Sequence, residues 1–264
     1  MKRLLFLLLP TVLFAQNDSI NIVKKDSTIN AATAHYIIRD SILTPTTTPF
    51  KLKPKQFIIP GVLITYGVLS TVTDSFKKIN FDTRNEIIED HPTFRTTIDN
   101  YSQFAPGAAV FALQAFGIKG ESSIKKELIV YAMSIGISTA IVVPTKRLTH
   151  QERPDLSNNQ SFPSGHTAIA FASAEFLRRE YWNTSPWIGV AGYAVAVGTG
   201  ILRMYNNKHW LGDVAAGAGV GILSTTLSYW LYDKFHIGKN EKHQAFLFPG
   251  YANKQFTIGL VKRF

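Results

Sequence analysis

Three clusters of basic, histidine and acidic residues interrupt a chain of 264 residues that is otherwise rich in apolar stretches. The first, KRLTHQERP, holds Lys146 and Arg153. The second, PSGH at 163–166, is a Pro-Ser-Gly turn that delivers a histidine to the first turn of an apolar helix. The third, RMYNNKHWLGD, covers 203–213. Such side chains at the ends of apolar helices suit chemistry on an anion, since helix N-termini attract anions.

The third cluster contains a histidine and an aspartate that are four residues apart, His209 and Asp213. On a helix this spacing places them on one face. The carboxylate can hold the Nδ1–H of the imidazole, which leaves Nε2 free as a nucleophile. On its own, such a pair is most often a solvated helix pair.

The cations of the three clusters match what phosphoryl transfer requires. Lys146, Arg153 and Arg203 can neutralise a phosphoryl group, which a guanidinium binds with two parallel hydrogen bonds. Ser164 and the backbone of Gly165 add neutral donors near a helix N-terminus. In this arrangement His209 attacks phosphorus and His166 protonates the leaving oxygen.

In this order and spacing, the three clusters resemble the type 2 phosphatidic acid phosphatase family. The matching patterns are K-x6-R-P at 146–154, P-S-G-H at 163–166 and R-x5-H-x3-D at 203–213, and the resemblance covers about 57–232. The superfamily also contains bacterial acid phosphatases and vanadium haloperoxidases. The resemblance implies a six-helix bundle and metal-independent hydrolysis of a phosphate monoester or pyrophosphate through a phosphohistidine.

The resemblance also implies a role for each matching residue. His209 would be the nucleophile, Asp213 its partner and His166 the acid. The phosphate ligands would be Lys146, Arg153, Ser164, Gly165 and Arg203. It implies no cofactor, with vanadate acting only as an inhibitor or phosphate mimic. One departure is Leu202, where the family usually has a serine before the arginine, so a hydroxyl that steadies the site is missing.

Four other residues near the clusters are interpreted as structural. His150 lies among the variable positions of the first pattern, and His91 and His236 are interpreted as surface residues. Trp210, next to the proposed nucleophile, is expected to pack rather than to stack on substrate.

The elements that must position these clusters are predicted to be helices. Six apolar stretches, many rich in small residues that allow close helix approach, favour an all-α, membrane-associated bundle of six helices. They lie at about 57–72, 105–118, 128–144, 167–177, 187–202 and 214–232. Charged residues make up 17% of the chain, against about 25% in an average soluble domain. A tightly packed soluble helical protein is the alternative.

The remaining segments are polar or serve export. Residues 1–15 have the basic start and apolar run of a signal peptide, with an uncleaved anchor as the alternative. Residues 16–55 are a polar lead segment, and 56–235 form the helical domain. Within it, 73–104 contains NEIIEDHPTF, which predicts an amphipathic helix ending near Pro92. In the tail, 236–264, Pro-Gly and Ala-Asn between apolar runs favour a β-hairpin.

Charge and composition limit the partners. The net charge is +10, which suits anionic lipid or substrate, and the chain has no recognisable nucleic-acid motif. Cysteine is absent, which excludes disulfides and thiolate chemistry. We expect a membrane lipid phosphate or pyrophosphate as substrate.

The loop charges place the clusters on the outer face of a bacterial inner membrane. Lysines at 119, 125 and 126 and arginines at 178 and 179 favour the cytoplasm, whereas 73–104 carries six acids against four basic residues. Lysines at 51, 53 and 55 conflict with an exported N-terminus if all six stretches span. The conflict disappears if 57–72 lies at the interface or if the bundle is periplasmic and only peripherally attached.

Three other functions remain open from the sequence. A soluble periplasmic acid phosphatase of broad specificity would fit the short apolar stretches. A haloperoxidase would use vanadate in the same cradle. A non-catalytic binder of anionic lipid would fit Leu202 and the positive charge.

Overall fold

The computed structural model describes residues 50–235, residue 237 and the two strands at 245–252 and 255–262. The signal peptide expected at 1–15 and most of the polar lead segment lie outside the described residues. The proposed domain boundaries therefore stay predictions.

Eight helices occur in the described part of the chain. Five of the six predicted apolar stretches lie within a helix and the sixth, 105–118, runs three residues past the end of one, which confirms the predicted all-α bundle. The two additional helices, α2 and α3, belong to the polar segment 73–104, where the predicted amphipathic helix ends two residues before Pro92. In chain order the helices are α1 (Lys55–Val72), α2 (Asp74–Asp90), α3 (Asp99–Ser102), α4 (Ala105–Ala115), α5 (Ile124–Thr149), α6 (Gly165–Tyr181), α7 (Pro186–Tyr205) and α8 (Leu211–Lys234).

Helix α6 is the centre of the bundle and packs against α7, α8, α4 and α5. Most of its side chains are buried, and Phe176 and Tyr181 are wholly inaccessible. Around them lie Val110 of α4, Val130 of α5 and Tyr229 of α8. Burial of this apolar surface on every side fixes the N-terminus of α6, and with it PSGH, relative to the other helices.

Glycines let α8 approach its neighbours at backbone distance. A Cβ at Gly217 would meet the carbonyl oxygen of Ser164, and one at Gly221 would meet that of Ala168. On another face of α8, a Cβ at Gly219 would lie 2.7 Å from the carbonyl oxygen of Pro60 in α1. The third cluster is therefore held close to the second because the start of α8 touches the start of α6.

Within the described residues, four helices (α1, α5, α7 and α8) are long and apolar enough to cross a membrane. Helix α1 presents exposed apolar side chains at Ile58, Ile59 and Val62. Water would solvate such a surface poorly, whereas lipid accommodates it. The molecule is a membrane-associated helical bundle.

The tail forms the predicted β-hairpin. Strand β1 (Ala245–Ala252) pairs antiparallel with β2 (Gln255–Lys262), with Ala252 opposite Gln255. The chain reverses between these two residues, at the Ala-Asn signal. The Pro-Gly signal lies inside β1, where Pro249 is opposite Ile258.

Candidate active site

The three clusters meet at one end of the bundle, where α5 ends, α6 begins, and α7 is followed by α8. Helix α5 ends at Thr149, and His150 has left-handed backbone geometry (φ 47°) that turns the chain away. Ser164 precedes α6 in extended conformation, as does Trp210 before α8. Both helices thus point their partially positive N-termini toward the same place.

The carboxylate of Asp213 joins the second and third clusters. Its Oδ2 accepts hydrogen bonds from Ser161 Oγ at 2.5 Å and from the backbone N–H of Trp210 at 2.9 Å. His209 Nδ1 lies 3.4 Å from the same oxygen. The carbonyl oxygen of Asp213 accepts from the backbone N–H of Ser164 at 2.9 Å. One residue therefore caps α8, orients the histidine and holds the turn before α6.

His209 is neutral at physiological pH. It is 3% exposed, and this burial lowers its pKa to about 4, against the smaller opposing effect of Asp213. Lys146 and Arg203 lower the pKa further. Because Nδ1 is directed toward Asp213, the lone pair of the neutral ring is on Nε2, as a nucleophile requires.

His166 lies in the first turn of α6, and its Nε2 is 2.8 Å from Oδ1 of Asn100. The amide oxygen only accepts, so the ring nitrogen Nε2 donates its proton to it. Burial lowers the pKa of His166 to about 4; Arg203, Arg153 and Lys146 lower it as well, and Asp99 raises it. The imidazole is therefore neutral until a negative charge enters the site.

Arg203 is held in place by Asp99, a residue that lies outside the three clusters. It is 8% exposed, and its guanidinium NH1 donates to Asp99 Oδ2 of α3 at 2.5 Å. Its Nε–H is buried and has no hydrogen-bond partner among the described residues, and neither does Asp99 Oδ1. The ion pair fixes one edge of the guanidinium and leaves Nε–H available to a ligand.

Arg153 follows the end of α5 and also has a buried Nε–H without a partner in the described part of the chain. Burial and the neighbouring Arg203 lower its pKa, and Asp155 and Asp213 oppose this. Lys146 lies in the last turn of α5, where its Nζ donates to the carbonyl oxygens of Gln160 at 2.6 Å and Ser161 at 2.9 Å. It therefore holds the loop that leads into PSGH.

Ser164 is completely buried, and its Oγ accepts from Thr167 Oγ1 at 2.9 Å. Gly165 is the first residue of α6. A Cβ at Gly165 would make only ordinary contact with Val142, so this glycine is not required by packing. All eight predicted site residues are thus brought to one end of the bundle.

Side chains outside the predicted set connect the loops around the site. Arg84 of α2 donates to Asn207 Oδ1 at 3.0 Å and to the carbonyl oxygen of Pro154 at 3.2 Å. Lys208 donates to Asp155 Oδ2 at 2.5 Å. These contacts join the first cluster to the third.

The residues interpreted as structural lie apart from the catalytic groups or make packing contacts. His150 is exposed, and exposed His91 packs against Tyr205 at a tilt, with 5.3 Å between ring centroids. His236 lies outside the described residues. Trp210 packs edge-on against Phe81 at 4.9 Å and donates its indole N–H to the carbonyl oxygen of Glu152. Leu202 is half-buried beside Arg203.

Four polar residues whose side chains bond to predicted site residues were not predicted: Ser161, Thr167, Asp99 and Asn100. Ser161 lies only two residues before PSGH, so its position was a usable signal. Asp99 and Asn100 lie 104 and 66 residues before their partners Arg203 and His166. Nothing in TTIDNYSQ marks that pairing.

The chain is similar in sequence to one protein family and to two known proteins. The family model described as "PAP2 superfamily" matches residues 127–237. A lipid A 1-phosphatase of Porphyromonas gingivalis is 46% identical over 142 residues, which are 53% of this chain and 32% of that protein. The bacitracin transport permease protein BcrC of Bacillus licheniformis is 37% identical over 76 residues, 29% of this chain and 36% of that protein. The chain thus spans 32% and 36% of the lengths of these relatives.

Two solved structures also match. LpxE of Aquifex aeolicus has a TM-score of 0.44 and 24% identity, and the match covers 57% of this chain and 94% of that one. A PAP2-type phosphatidylglycerolphosphate phosphatase of Bacillus subtilis has a TM-score of 0.45 and 19% identity, with 70% and 98% covered.

The family model covers all eight predicted site residues, the helices α6 to α8, and α5 from Glu127 onward. The chain is therefore similar to the PAP2 superfamily over the segment that holds the candidate active site.

Proposed function

We propose that the protein is a membrane lipid phosphatase that hydrolyses a phosphate monoester or pyrophosphate through a phosphohistidine on His209. The observation that carries the proposal is the pair of buried guanidinium Nε–H groups, on Arg153 and Arg203, that have no partner among the described residues. Buried donors are costly unless a hydrogen-bond acceptor satisfies them. A phosphoryl group between the two arginines would satisfy both.

In the first chemical step His209 acts as a neutral nucleophile, and His166 acts as an acid that has gained a proton on substrate binding. Nε2 of His209 attacks phosphorus, a P–N bond forms, and the P–O bond to the leaving oxygen breaks. His166 gives its proton to that oxygen, so the lipid alcohol leaves neutral. Asp213 stabilises the imidazolium that forms on His209, and the arginines bind the charge on the equatorial oxygens.

In the second step, water attacks phosphorus and the P–N bond breaks. His166, now unprotonated, accepts the proton of this water, and inorganic phosphate is released. The same residue thus serves as acid and then as base.

The low pKa of His166 is consistent with its role as acid. Burial is the largest cause of this low pKa, and three cations, Arg203, Arg153 and Lys146, also disfavour the protonated form in the free site. A bound phosphate offsets these charges, so His166 gains a proton as the substrate binds. His166 is therefore in its protonated, acidic form only when a substrate with a leaving group is bound.

The substrate is proposed to be a phosphorylated membrane lipid, with lipid A phosphate as the first to test. Two observations support this: four helices suited to a membrane, and a 46% identical relative that bears the name lipid A 1-phosphatase. We further propose that the three cations replace a metal ion in neutralising the phosphoryl group. The active site would face the periplasm, because the basic loops lie at the other end of the bundle.

The test is phosphate release by protein purified in detergent, from lipid A phosphate, phosphatidate, an isoprenyl pyrophosphate and p-nitrophenyl phosphate, with a chelator present. We expect turnover of a lipid substrate, no turnover in His209→Ala, and full turnover in the control His91→Ala.

The other outcomes are equally informative. Turnover of p-nitrophenyl phosphate alone would indicate an acid phosphatase of broad specificity. Loss of turnover with the chelator that added Mg²⁺ restores would contradict metal independence. A folded protein that turns over nothing would overturn the catalytic proposal in favour of a lipid-binding role.

A further inference from the structure

A polar cavity of about 690 Å³ opens beside the proposed phosphate site. It shares Arg203 and Asp99 with that site, and it is bounded on one side by residues 95–100 and on the other by the third cluster. The volume lies in the range of ordinary ligand pockets, about 300–1,000 Å³. It is far larger than the phosphoryl group requires.

The position of Asn100 shows which part of the substrate would enter this cavity. Asn100 lines the cavity, and its Oδ1 is 2.8 Å from Nε2 of His166. In the proposed reaction, the same imidazole protonates the leaving oxygen. The body of the leaving alcohol therefore extends from His166 past Asn100 into the cavity.

The chemistry of the wall does not suit an acyl chain. Every residue that lines the cavity has a polar or charged side chain. The leaving group of phosphatidate is a diacylglycerol, which has acyl chains attached to its glycerol. No apolar side chain lines the cavity for these acyl chains to pack against. A leaving group with many hydroxyls would find amide, hydroxyl and carboxylate partners.

Two cations in the wall have no place in the proposed catalytic steps, Arg95 and Lys208. Arg95 is exposed and uses NH1 on the carbonyl oxygen of Phe94, which leaves its other N–H groups available. Lys208 is held by Asp155, and its side chain is 35% exposed. They provide positive charge on both sides of the cavity, Arg95 on the side of residues 95–100 and Lys208 on the side of the third cluster.

We propose that this cavity receives the sugar headgroup of a glycolipid, and that Arg95 and Lys208 select a headgroup that carries a second anionic group. The inference rests on the proposed phosphatase function and narrows it to one substrate class. The acyl chains of such a lipid leave the cavity toward the membrane.

The experiment compares kcat/KM for lipid A with two phosphates, lipid A with only the phosphate to be cleaved, phosphatidylglycerophosphate and dioleoylphosphatidate. We expect the wild type to prefer the doubly phosphorylated glycolipid. The Arg95→Ala/Lys208→Ala double variant should lose about tenfold or more on that substrate, the typical effect of losing charge-assisted hydrogen bonds. Because Lys208 also bonds to Asp155, turnover of phosphatidate should fall by much less than turnover of the glycolipid, and the phosphatidate turnover that remains shows that the variant is folded.

A matched control double variant, Arg147→Ala/Lys78→Ala, removes two exposed cations that lie outside the cavity and should behave as the wild type on all four lipids. An equal loss on phosphatidate and on the glycolipid, or no loss on either, would overturn the inference. So would a wild-type preference for phosphatidylglycerophosphate, because its headgroup is anionic but not a sugar.

A binding measurement decides the inference apart from turnover. Glucosamine-1-phosphate and glycerol-3-phosphate are titrated into the His209→Ala protein and into the same protein with Arg95→Ala/Lys208→Ala. Tighter binding of the sugar phosphate supports the cavity as a sugar site even if the wild type releases no phosphate, an outcome that would refute only the proposed function. Equal affinities for the two probes would refute the sugar site even if the enzyme is active.

Discussion

At the scale of single residues, the hydroxyl group of Ser161 helps to position two predicted site residues, Asp213 and His209. It is wholly buried, donates to Asp213 Oδ2 at 2.5 Å and lies 3.5 Å from His209 Nδ1. The 3.4 Å between His209 and Asp213 is longer than a strong hydrogen bond, so Ser161 helps to fix the carboxylate that orients the ring.

Replacing Ser161 by alanine should therefore lower kcat roughly tenfold and change KM little, because positioning of the nucleophile is affected and phosphate binding is not. Steady-state phosphate release measures both constants. Ser157→Ala, an exposed serine of the same loop, is the control and should have wild-type kinetics. A raised KM with unchanged kcat would assign Ser161 to substrate binding.

The acid limb of the pH profile is set by His209, whose folded pKa is lowered from the ordinary value of 6.5 to about 4. In the proposed mechanism the neutral ring is the nucleophile, so kcat/KM is lost as the pH falls through this pKa, and we expect half-loss on the acid side near pH 4. Above pH 4, kcat/KM should also decline, because the proposed acid His166, whose pKa burial lowers to about 4, must gain a proton as the substrate binds. Half-loss on the acid side close to pH 6.5 would show that His209 is not desolvated in the free enzyme.

Residue types and spacing were enough to predict the eight groups that converge on the site, because the reaction requires those types and the helices fix their order. They were not enough for Asp99 and Asn100. A carboxylate and an amide are common in loops, and their value here comes only from a fold that brings α3 over Arg203 and His166.

At the scale of elements, the approach of α8 to α6 determines whether the clusters meet. The six helices were predictable from runs of apolar residues. The four-residue α3 was not, because one turn of helix has no hydrophobic period to detect. The glycines of α8 were recognised as small residues, but only the structure shows which neighbour each one faces.

Gly221→Ala should destabilise the bundle, because the new Cβ would collide with the carbonyl oxygen of Ala168 and must push α8 away from α6. We expect a loss of about 1–3 kcal/mol, typical of overpacking, measured as a lower Tm in detergent. Gly198→Ala in α7, where a Cβ meets nothing within 4 Å, is the control. It should be neutral or stabilising by up to about 1 kcal/mol, since alanine favours helix. Equal shifts in the two variants would show that the close approach does not matter.

At the scale of the whole molecule, α6 runs from the candidate active site to the opposite end of the bundle, where the loops carry lysines and arginines. There Glu121 donates its backbone N–H to the carbonyl oxygen of Glu180, and the basic positions Lys119 and Arg178 lie nearby in the chain. The separation of the proposed phosphate-binding cations at one end from loop lysines and arginines at the other is the basis for the proposed orientation.

The absence of cysteine from the sequence makes this orientation directly measurable. Thr93 at the site end and Lys119 at the other end are both exposed. In spheroplasts, a membrane-impermeant maleimide should label Thr93→Cys but label Lys119→Cys only after permeabilisation. The reverse pattern would place the site in the cytoplasm, and labelling of both without permeabilisation would indicate a peripheral bundle outside the membrane.

Asp213 has both a structural role and a proposed catalytic role, and this combination affects how the sequence can change in evolution. In the proposed mechanism His209 contributes only its ring, whereas Asp213 also caps α8 and bonds through its backbone to the turn before α6. A lineage that abandons catalysis can therefore discard the histidine freely, but it loses stability if it discards the aspartate. Among descendants that have become inactive, the aspartate should outlast the histidine, so its presence alone is a poor sign that such a protein is still an enzyme.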